Sequence, residues 1–205
     1  MPELLSTALA RLPRPFSGAI FDCDGTLADT MPLHYQAWEH TISVHGGEFP
    51  ERLFYELGGV PTPEIVRILN ARYGISLDPE RITHEKEARY AELLHLAQPI
   101  QPVVDLAHLL FQEFPLAVAS GGQRPLVDRT LVGLGVTELF LAVCTTEDVE
   151  RGKPEPDLFL LAAHRIGVAP ESCVVFEDSD LGLEAARRAG MQGVDIRPWA
   201  PERNF

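Results

Sequence analysis

The chain alternates short apolar runs with helix-like stretches, and this alternation restricts its fold more than any other feature. The runs predicted to form buried strands are Gly18–Phe21, Leu116–Ala119, Cys173–Phe176 and Gly193–Ile196, with Leu141–Cys144 as a weaker fifth. Strands that alternate with helices favour a parallel sheet with helices on both faces. We therefore predict an α/β fold, a Rossmann-like doubly wound parallel sheet.

A long segment, residues 22–115, separates the first two predicted strands and exceeds the length of a simple crossover. Helical periodicity marks three parts of it, which are His34–Val44, Pro63–Tyr73 and Ile82–Leu96. We therefore expect a small helical cap domain at 31–97, inserted into a core domain that comprises 1–30 and 98–205.

Two aspartates follow the first predicted strand, within the sequence Phe-Asp-Cys-Asp-Gly-Thr of residues 21–26. Asp22 and Asp24 are suited to phosphoryl chemistry, because one carboxylate can attack phosphorus while the other handles the leaving-group proton. Gly25 would permit a sharp turn. An Asx-turn at the strand end is the structural alternative. We expect Cys23 to be a buried apolar residue, because successive side chains of a strand point to opposite faces.

A hydroxyl and two glycines end the second predicted strand, at Ser120, Gly121 and Gly122. The hydroxyl and the backbone N–H groups of this loop could hold phosphate oxygens. Alternatively, Ser120 could cap the next helix. Because ligands of doubly wound folds bind beyond the carboxyl ends of the strands, we expect Ser120 and Asp22 at the same edge of the sheet.

The net charge of −13 makes a single lysine important. An acidic protein repels an anionic substrate at long range, so a phosphate site here needs a local cation. Lys153, which is followed by Pro154, is the candidate, although a solvated surface lysine is the alternative reading. The same charge argues against a nucleic-acid-binding surface, which requires a basic footprint.

An acidic pair, Glu177 and Asp178, follows the strand predicted at Cys173–Phe176. Mg²⁺ prefers six oxygen ligands, few of them carboxylates and several of them waters. Asp178 and Asp22 would supply two ligands, and Glu177 would bind directly or through water. Capping of the next helix by Asp178 or Ser179 is the alternative.

The sequence favours a cytoplasmic protein. No apolar run reaches the roughly 18 residues of a membrane span, and Met1–Ser17 has no long apolar region like that of a signal peptide. Leucines among residues 4–12 instead predict a short amphipathic helix. The three cysteines have no motif spacing, which argues against a disulfide framework or a zinc site and fits a reducing compartment.

These motifs, in this order, resemble the four motifs of the haloacid dehalogenase (HAD) superfamily of phosphotransferases. The resemblance covers about Gly18 to Pro198, and within the superfamily it is strongest to the β-phosphoglucomutase-like subgroup and its sugar phosphatases of the fructose-1-phosphate phosphatase type. The segments similar to that subgroup are Thr30–His34, Ala37–Trp38, Gly59–Thr62 and Phe176–Met191. The resemblance implies a HAD-like core with a small helical cap.

The resemblance also implies roles for individual residues. Asp22 would be the nucleophile, and Asp24 the general acid and base with its main-chain carbonyl on the metal. The implied Mg²⁺ ligands are Asp22, Asp24, Glu177 and Asp178. The residues expected to bind the substrate are Thr26, His34, Thr62, Lys86, Ser120, Gly121 and Lys153, of which Ser120 and Lys153 would hold the transferring phosphoryl group.

The expected function is that of a Mg²⁺-dependent phosphatase, which hydrolyses small phosphorylated sugars through an aspartyl phosphate and acts as a monomer. A sugar-phosphate mutase is an alternative, but Thr62 stands where the mutase carries an arginine that clamps a second phosphate. A dehalogenase would need neither Asp24 nor the metal carboxylates. A non-catalytic sugar-phosphate-binding protein would have no use for a nucleophile beside an acid.

Overall fold

The computed structural model describes residues 15–201, and within them the sheet has five strands. They are β1 (Gly18–Phe21), β2 (Leu116–Ala119), β3 (Ala142–Cys144), β4 (Cys173–Glu177) and β5 (Gln192–Asp195). All neighbouring strands are parallel, in the order β3-β2-β1-β4-β5. β1 and β2 coincide with their predicted ranges, and the other three strands differ by one residue at one or both ends. The helix predicted among residues 4–12 lies outside the described residues.

The described residues contain eight α-helices in addition to short 3₁₀ turns. They are α1 (Met31–Val44), α2 (Glu51–Glu56), α3 (Thr62–Tyr73), α4 (Pro79–Leu93), α5 (Gln101–Leu110), α6 (Arg124–Leu134), α7 (Asp157–Arg165) and α8 (Asp180–Arg188). A parallel sheet whose strands alternate with helices confirms the predicted α/β class. Between residues 15 and 201, no helix combines the length and the apolar character that a bilayer crossing requires.

The strands of the sheet centre are apolar at every position except Glu177, the last residue of β4, because both faces of the sheet are covered. Every residue of β1, β2 and β4 is buried. Phe21 belongs to the hydrophobic cluster on one face, where its ring stacks on Phe176 at 4.7 Å, and Ile20 belongs to the cluster on the other face. This alternation is the two-residue period of an extended strand.

The structure divides into two compact units. The core unit comprises described residues 15–29 and 98–201, and the inserted unit comprises residues 30–97. The inserted unit has its own hydrophobic cluster, which includes Trp38, Leu69 and Ile82.

The helices predicted for the inserted segment are present as α1, α3 and α4, with a 3₁₀ turn at Leu94–Leu96. Asp78 caps α4, because its carboxylate accepts hydrogen bonds from the backbone N–H groups of Glu80 and Arg81. The six-residue helix α2 was not predicted, since a segment of that length is too short to display a helical period.

Candidate active site

The site lies at the carboxyl edge of the sheet, where the loops after β1, β2 and β4 begin. The backbone N–H of Asp22 donates to the carbonyl of Phe176 over 3.0 Å, so the pairing of β1 with β4 extends to the nucleophile candidate. On the other side, the N–H of Ser120 donates to the carbonyl of Cys144 over 2.9 Å. Both side chains therefore start from a rigid backbone.

The loop after β1 turns sharply around a single carbonyl group. The carbonyl of Cys23 accepts hydrogen bonds from the N–H groups of Leu27 and Ala28 at 2.9 and 3.0 Å, and the Cys23 side chain is fully buried in the core cluster, as predicted. Gly25 has a φ of 82°, and a β-carbon at this position would collide with the carboxylate of Asp178. Glycine is therefore required at this position for two reasons, the positive φ of the backbone and the lack of room for a β-carbon.

Thr26, in the same loop, is completely buried, and its hydroxyl donates to Oδ1 of Asp178 over 3.3 Å. The loop thus orients a carboxylate that comes from the end of β4. In this structure Thr26 contacts an acidic side chain of the site.

Lys153 joins two of the predicted acidic residues. Its Nζ donates to Oδ1 of Asp22 over 2.6 Å and to Oε2 of Glu177 over 2.7 Å. The ammonium also lies 5.0 Å from the centre of the Phe159 ring. Only 8% of the Lys153 side chain is exposed, so this residue is a buried ion-pair partner and not a solvated surface lysine.

Glu177 is fully buried, and both of its carboxylate oxygens are engaged. Oε1 accepts hydrogen bonds from the N–H of Asp178 at 3.1 Å, the N–H of Ser179 at 3.0 Å and the hydroxyl of Ser179 at 2.8 Å, while Oε2 accepts from Lys153. The Ser179 oxygen in turn accepts from the N–H of Gly182 over 3.0 Å. Ser179 therefore caps α8, and the capping alternative for Asp178 does not hold.

Gly182 was missed by the sequence analysis. A β-carbon on this residue would collide with the carboxylate of Glu177, so the start of α8 approaches Glu177 more closely than any other residue type would permit. The available signal was a glycine three residues after the helix-capping serine.

Three carboxylates with excess negative charge form the centre of the site. Oxygens of Asp22, Glu177 and Asp178 lie within 4.8 Å of one another. Burial raises the pKa of Asp22 to about 7, against the opposing attraction of Lys153. Burial, with the charges of Asp22 and Glu177, raises the pKa of Asp178 well above its usual range. For Lys153, burial lowers the pKa, but the attraction of both neighbouring carboxylates outweighs it and the pKa is raised.

This donor set fits a divalent cation. One ammonium cannot balance three carboxylates, of which Asp22 and Glu177 are buried and Asp178 is half-buried. Burial first, and repulsion from the neighbouring carboxylates second, raise the pKa values of Asp22 and Asp178. Carboxylate oxygens are the ligands that Mg²⁺ and similar hard cations prefer. The acidic cluster can therefore bind a metal ion.

Ser120 and Asp24 both lie close to Gly122. The Ser120 hydroxyl oxygen is buried and accepts from the N–H of Gly122 over 3.0 Å. A β-carbon on Gly122 would lie 3.2 Å from Oδ2 of Asp24 and 3.3 Å from Oγ of Ser120. Since α6 begins at Arg124 after Gln123, Ser120 is not the residue that caps that helix. A β-carbon on Gly121 would meet no atom within 4 Å.

The three predicted residues of the inserted unit also come together. Nζ of Lys86 lies 2.8 Å from Nδ1 of His34 and donates to Oε1 of Glu87 over 2.9 Å. The same oxygen accepts from the Thr62 hydroxyl over 3.3 Å. The His34 ring stacks on Tyr90 with the ring centres 3.8 Å apart. Glu87, which connects Thr62 to Lys86, was not singled out from the sequence.

Comparison with known proteins gives consistent matches over nearly the whole chain. The fructose-1-phosphate phosphatase YqaB of Escherichia coli is 39% identical over 183 residues, which cover 89% of this chain and 97% of that protein. The β-phosphoglucomutase of Bacillus subtilis is 27% identical over 191 residues, covering 89% of this chain and 84% of the mutase. A solved hydrolase structure from Pseudomonas syringae superposes with a TM-score of 0.78 at 28% identity, covering 88% and 84% of the two chains.

The family assignment rests on the motifs as well as on these relatives. Residues 19–196 match the haloacid dehalogenase-like hydrolase family. The matched segment includes residues of both units. The resemblance predicted from the four motifs is confirmed. The chain therefore belongs to the haloacid dehalogenase-like hydrolases and is related to their β-phosphoglucomutase-like sugar phosphatases.

Proposed function

We propose that this protein is a phosphoric monoester hydrolase that removes phosphate from small phosphorylated sugars or related metabolites. The observation that carries the proposal is the buried ion pair of 2.6 Å between Lys153 and Asp22, which orients a carboxylate as a nucleophile. The substrate class is supported by the name of the Escherichia coli relative, a fructose-1-phosphate phosphatase.

In the first step, an oxygen of Asp22 attacks the phosphorus of the ester. A bond forms between this oxygen and phosphorus while the bond from phosphorus to the sugar oxygen breaks, which leaves an aspartyl phosphate. Asp24, in its protonated form, gives its proton to the departing oxygen, so the product leaves as an alcohol. Because Lys153 holds Oδ1 of Asp22, the carboxylate keeps one orientation during the attack.

In the second step, a water molecule attacks the phosphorus of the aspartyl phosphate, and Asp24 accepts the proton of that water. The bond to Asp22 breaks and inorganic phosphate leaves, which restores both side chains. The charge that spreads over the phosphoryl oxygens would be stabilised by Lys153, the hydroxyl of Ser120 and the N–H of Gly121.

We propose Mg²⁺ as the cofactor, held by the carboxylates of Asp22 and Asp178 and the main-chain carbonyl of Asp24. The bound ion would supply positive charge that reduces repulsion between carboxylate and phosphate. Glu177 already accepts four hydrogen bonds. We therefore expect Glu177 to act through Lys153 or through a water ligand, not as a direct ligand.

We further propose that residues 31–97 act as a cap domain for the core formed by 1–30 and 98–205. Within the cap, His34, Thr62 and Lys86 would bind the non-reacting part of the substrate. Thr26 would contribute by orienting Asp178, to which its hydroxyl donates. We propose a cytoplasmic monomer that acts on small metabolites and has no nucleic-acid or membrane partner, in keeping with the net charge of −13.

A phosphate-release assay tests this function. With a panel of phosphorylated sugars, we expect inorganic phosphate to appear in the presence of Mg²⁺ and release to stop when a chelator is added. Interconversion of sugar phosphates without phosphate release would instead support a mutase, which the relationship to β-phosphoglucomutase keeps as the second candidate. Binding of sugar phosphates without any turnover would support a non-catalytic binding protein.

A further inference from the structure

Two loops of the core unit contact each other at the carboxyl edge of the sheet, one after β2 and one after β3. We call residues 120–122 the phosphate loop, because Ser120 and Gly121 are proposed to hold phosphoryl oxygens, and residues 145–148 the support turn. The strands that precede the two loops are neighbours in the sheet, so both loops begin at the same edge. No residue of the support turn takes part in the proposed reaction.

The phosphate loop has few side chains of its own to hold its conformation. Two of its three residues are glycines, and glycine has more accessible backbone conformations than any other residue. A β-carbon on Gly121 would meet no atom within 4 Å, so open space lies next to the residue whose N–H is proposed to bind a phosphoryl oxygen. The conformation of this loop therefore depends on hydrogen bonds from its neighbours.

The support turn supplies two of these hydrogen bonds. The hydroxyl of Thr146 donates to the carbonyl of Gly122 over 3.3 Å, and the N–H of Arg124, the first residue of α6, donates to Oε2 of Glu147 over 3.3 Å. Among residues 15–201, the side chain of Gln123 provides no cap for α6, and Glu147 satisfies the helix terminus from the support turn instead. The support turn thus holds the end of the phosphate loop and the start of the helix that follows it.

Asp148 fixes the support turn through both of its carboxylate oxygens. Oδ2 accepts from the N–H and the hydroxyl of Thr145 at 2.9 and 3.2 Å, while Oδ1 accepts from Nη2 of Arg165 over 2.6 Å. Arg165 is the last residue of α7, and its Nη1 donates to the carbonyl of Val143 in β3 over 2.9 Å. The hydrogen bond from Arg165 lowers the pKa of Asp148. This carboxylate therefore connects the support turn to a helix and a strand of the core.

We infer that Asp148 is a positioning residue, which holds the phosphate loop in its active conformation through the support turn. This inference rests on the proposed function and adds to it a residue that acts through others. Asp148 fixes the turn, and Thr146 and Glu147 of that turn keep the two peptide groups on either side of Gln123 in place. The donors of the phosphate loop are then preorganised for the charge that develops on the phosphoryl oxygens.

A purely structural role for Asp148 makes a different prediction. In that role the ion pair with Arg165 only adds stability at the edge of the sheet, and its loss lowers Tm without changing kcat. Thr146→Val separates the two roles, because it removes the hydroxyl that reaches Gly122 and leaves Asp148 unchanged. Thr146→Ser is the matched control, since it keeps a hydroxyl at the same position.

The experiment measures kcat and KM for p-nitrophenyl phosphate with Mg²⁺, and the inhibition constant of inorganic phosphate, at a temperature well below Tm. We expect Thr146→Val to lower kcat by about fivefold and to raise the inhibition constant by about threefold, because the phosphate loop is held less firmly. The Tm of this variant should stay within about 2 °C of the wild-type value. Thr146→Ser should keep kcat within about twofold of the wild type.

Asp148→Ala should lower kcat by about tenfold and Tm by about 2–4 °C. Asp78→Ala is the control for lost stability, since Asp78 also accepts hydrogen bonds from two backbone N–H groups but caps α4 of the inserted unit. It should lower Tm by a similar amount and keep kcat within about twofold. The double variant of Asp148→Ala and Thr146→Val should lose less kcat than the product of the two single losses, because Asp148 acts through Thr146.

Three results would overturn the positioning role and leave the hydrolase intact. They are an unchanged kcat and phosphate inhibition in Asp148→Ala, equal kinetics of Thr146→Val and Thr146→Ser, and single losses that multiply in the double variant. A loss of kcat in Asp78→Ala as large as that in Asp148→Ala would also overturn it, since lost stability would then explain both. If Asp148→Ala does not fold, the two Thr146 variants decide. Phosphate release by the wild type from neither p-nitrophenyl phosphate nor any sugar phosphate overturns the proposed function, and the positioning role with it.

Discussion

Nζ of Lys153 donates a hydrogen bond of 2.6 Å to Oδ1 of Asp22, and both side chains are more than nine-tenths buried. The ammonium lowers the cost of ionising a carboxylate that burial would otherwise keep protonated. It also determines which of the two carboxylate oxygens of Asp22 accepts its hydrogen bond, and that oxygen is Oδ1. Lys153 therefore favours the ionised form of the proposed nucleophile and holds it in one orientation, although it lies more than a hundred positions away in the sequence.

Asp22→Asn should abolish most turnover, because the amide cannot form the aspartyl phosphate. We expect phosphate release to fall by about a thousandfold or more, while metal binding is weakened but not lost, since Asp178 remains. Steady-state kinetics and calorimetric titration with Mg²⁺ measure the two effects separately. Retention of a tenth or more of the wild-type rate would rule out Asp22 as the nucleophile.

Lys153→Met should reduce activity in the presence of Mg²⁺ and should reduce the stability of the metal-free protein. Removal of the ammonium leaves Asp22 and Glu177 buried together without a cation, and breaking a buried ion pair in this way costs about 3–5 kcal/mol. Urea unfolding measures the loss. Lys153→Arg should restore little activity, because a planar guanidinium does not replace a compact ammonium. A Met variant as stable as the wild type would contradict the importance of this ion pair.

Gly182→Ala should lower activity without unfolding the protein, because the added β-carbon displaces the carboxylate of Glu177 and with it Lys153. We expect kcat to fall by about tenfold or more. Gly133→Ala is the control, since Gly133 lies in a helix with no atom within 4 Å of the added carbon and should gain about 0.5–1 kcal/mol of stability. Equal kinetics for the two variants would refute the steric role of Gly182.

The stabilisation by Mg²⁺ should increase with pH. The pKa of Asp22 is about 7 in the folded metal-free protein, above its ordinary value of 3.8. The folded state therefore binds more protons than the unfolded state between these values, and the contribution of Asp22 to stability declines as pH rises through this window. A divalent cation needs the ionised carboxylates and removes this penalty.

Thermal unfolding with and without Mg²⁺ checks this expectation. The increase in Tm should be larger at about pH 8 than at about pH 5.5, where protons compete with the ion. Ca²⁺ provides a second oxygen-seeking ion for comparison. The same Tm shift at both pH values would argue against a metal site formed by Asp22 and Asp178.

The fold could be predicted closely from the sequence because the central strands are apolar up to the charged residue that ends β4. β1 and β2 coincide with the predicted ranges Gly18–Phe21 and Leu116–Ala119. Parallel strands present their carboxyl ends at one edge, so the side chains that follow them could be assigned to a common site from their positions in the sequence alone. The ordered motifs then indicated the family, which the relatives confirm.

The finer arrangement could not be predicted, because it depends on side-chain geometry. Glu177 was expected near a metal, yet its oxygens accept four hydrogen bonds that depend on the three-dimensional placement of Lys153 and Ser179. The steric role of Gly182 depends on how closely α8 approaches β4. Glu87 follows a lysine on a helix rich in charge, and nothing in the sequence distinguishes it from the exposed carboxylates of the same helix.

The covalent intermediate provides the most direct test of the central claim, that Asp22 receives the phosphoryl group. The Asp24→Asn variant should still be phosphorylated by p-nitrophenyl phosphate, whose leaving group needs little acid help, but should hydrolyse the intermediate slowly. After acid quenching, peptide mapping should find one phosphoryl group per protein on Asp22, removable by hydroxylamine. A phosphoryl group on another residue, or release of phosphate without any phosphorylated protein, would contradict the mechanism.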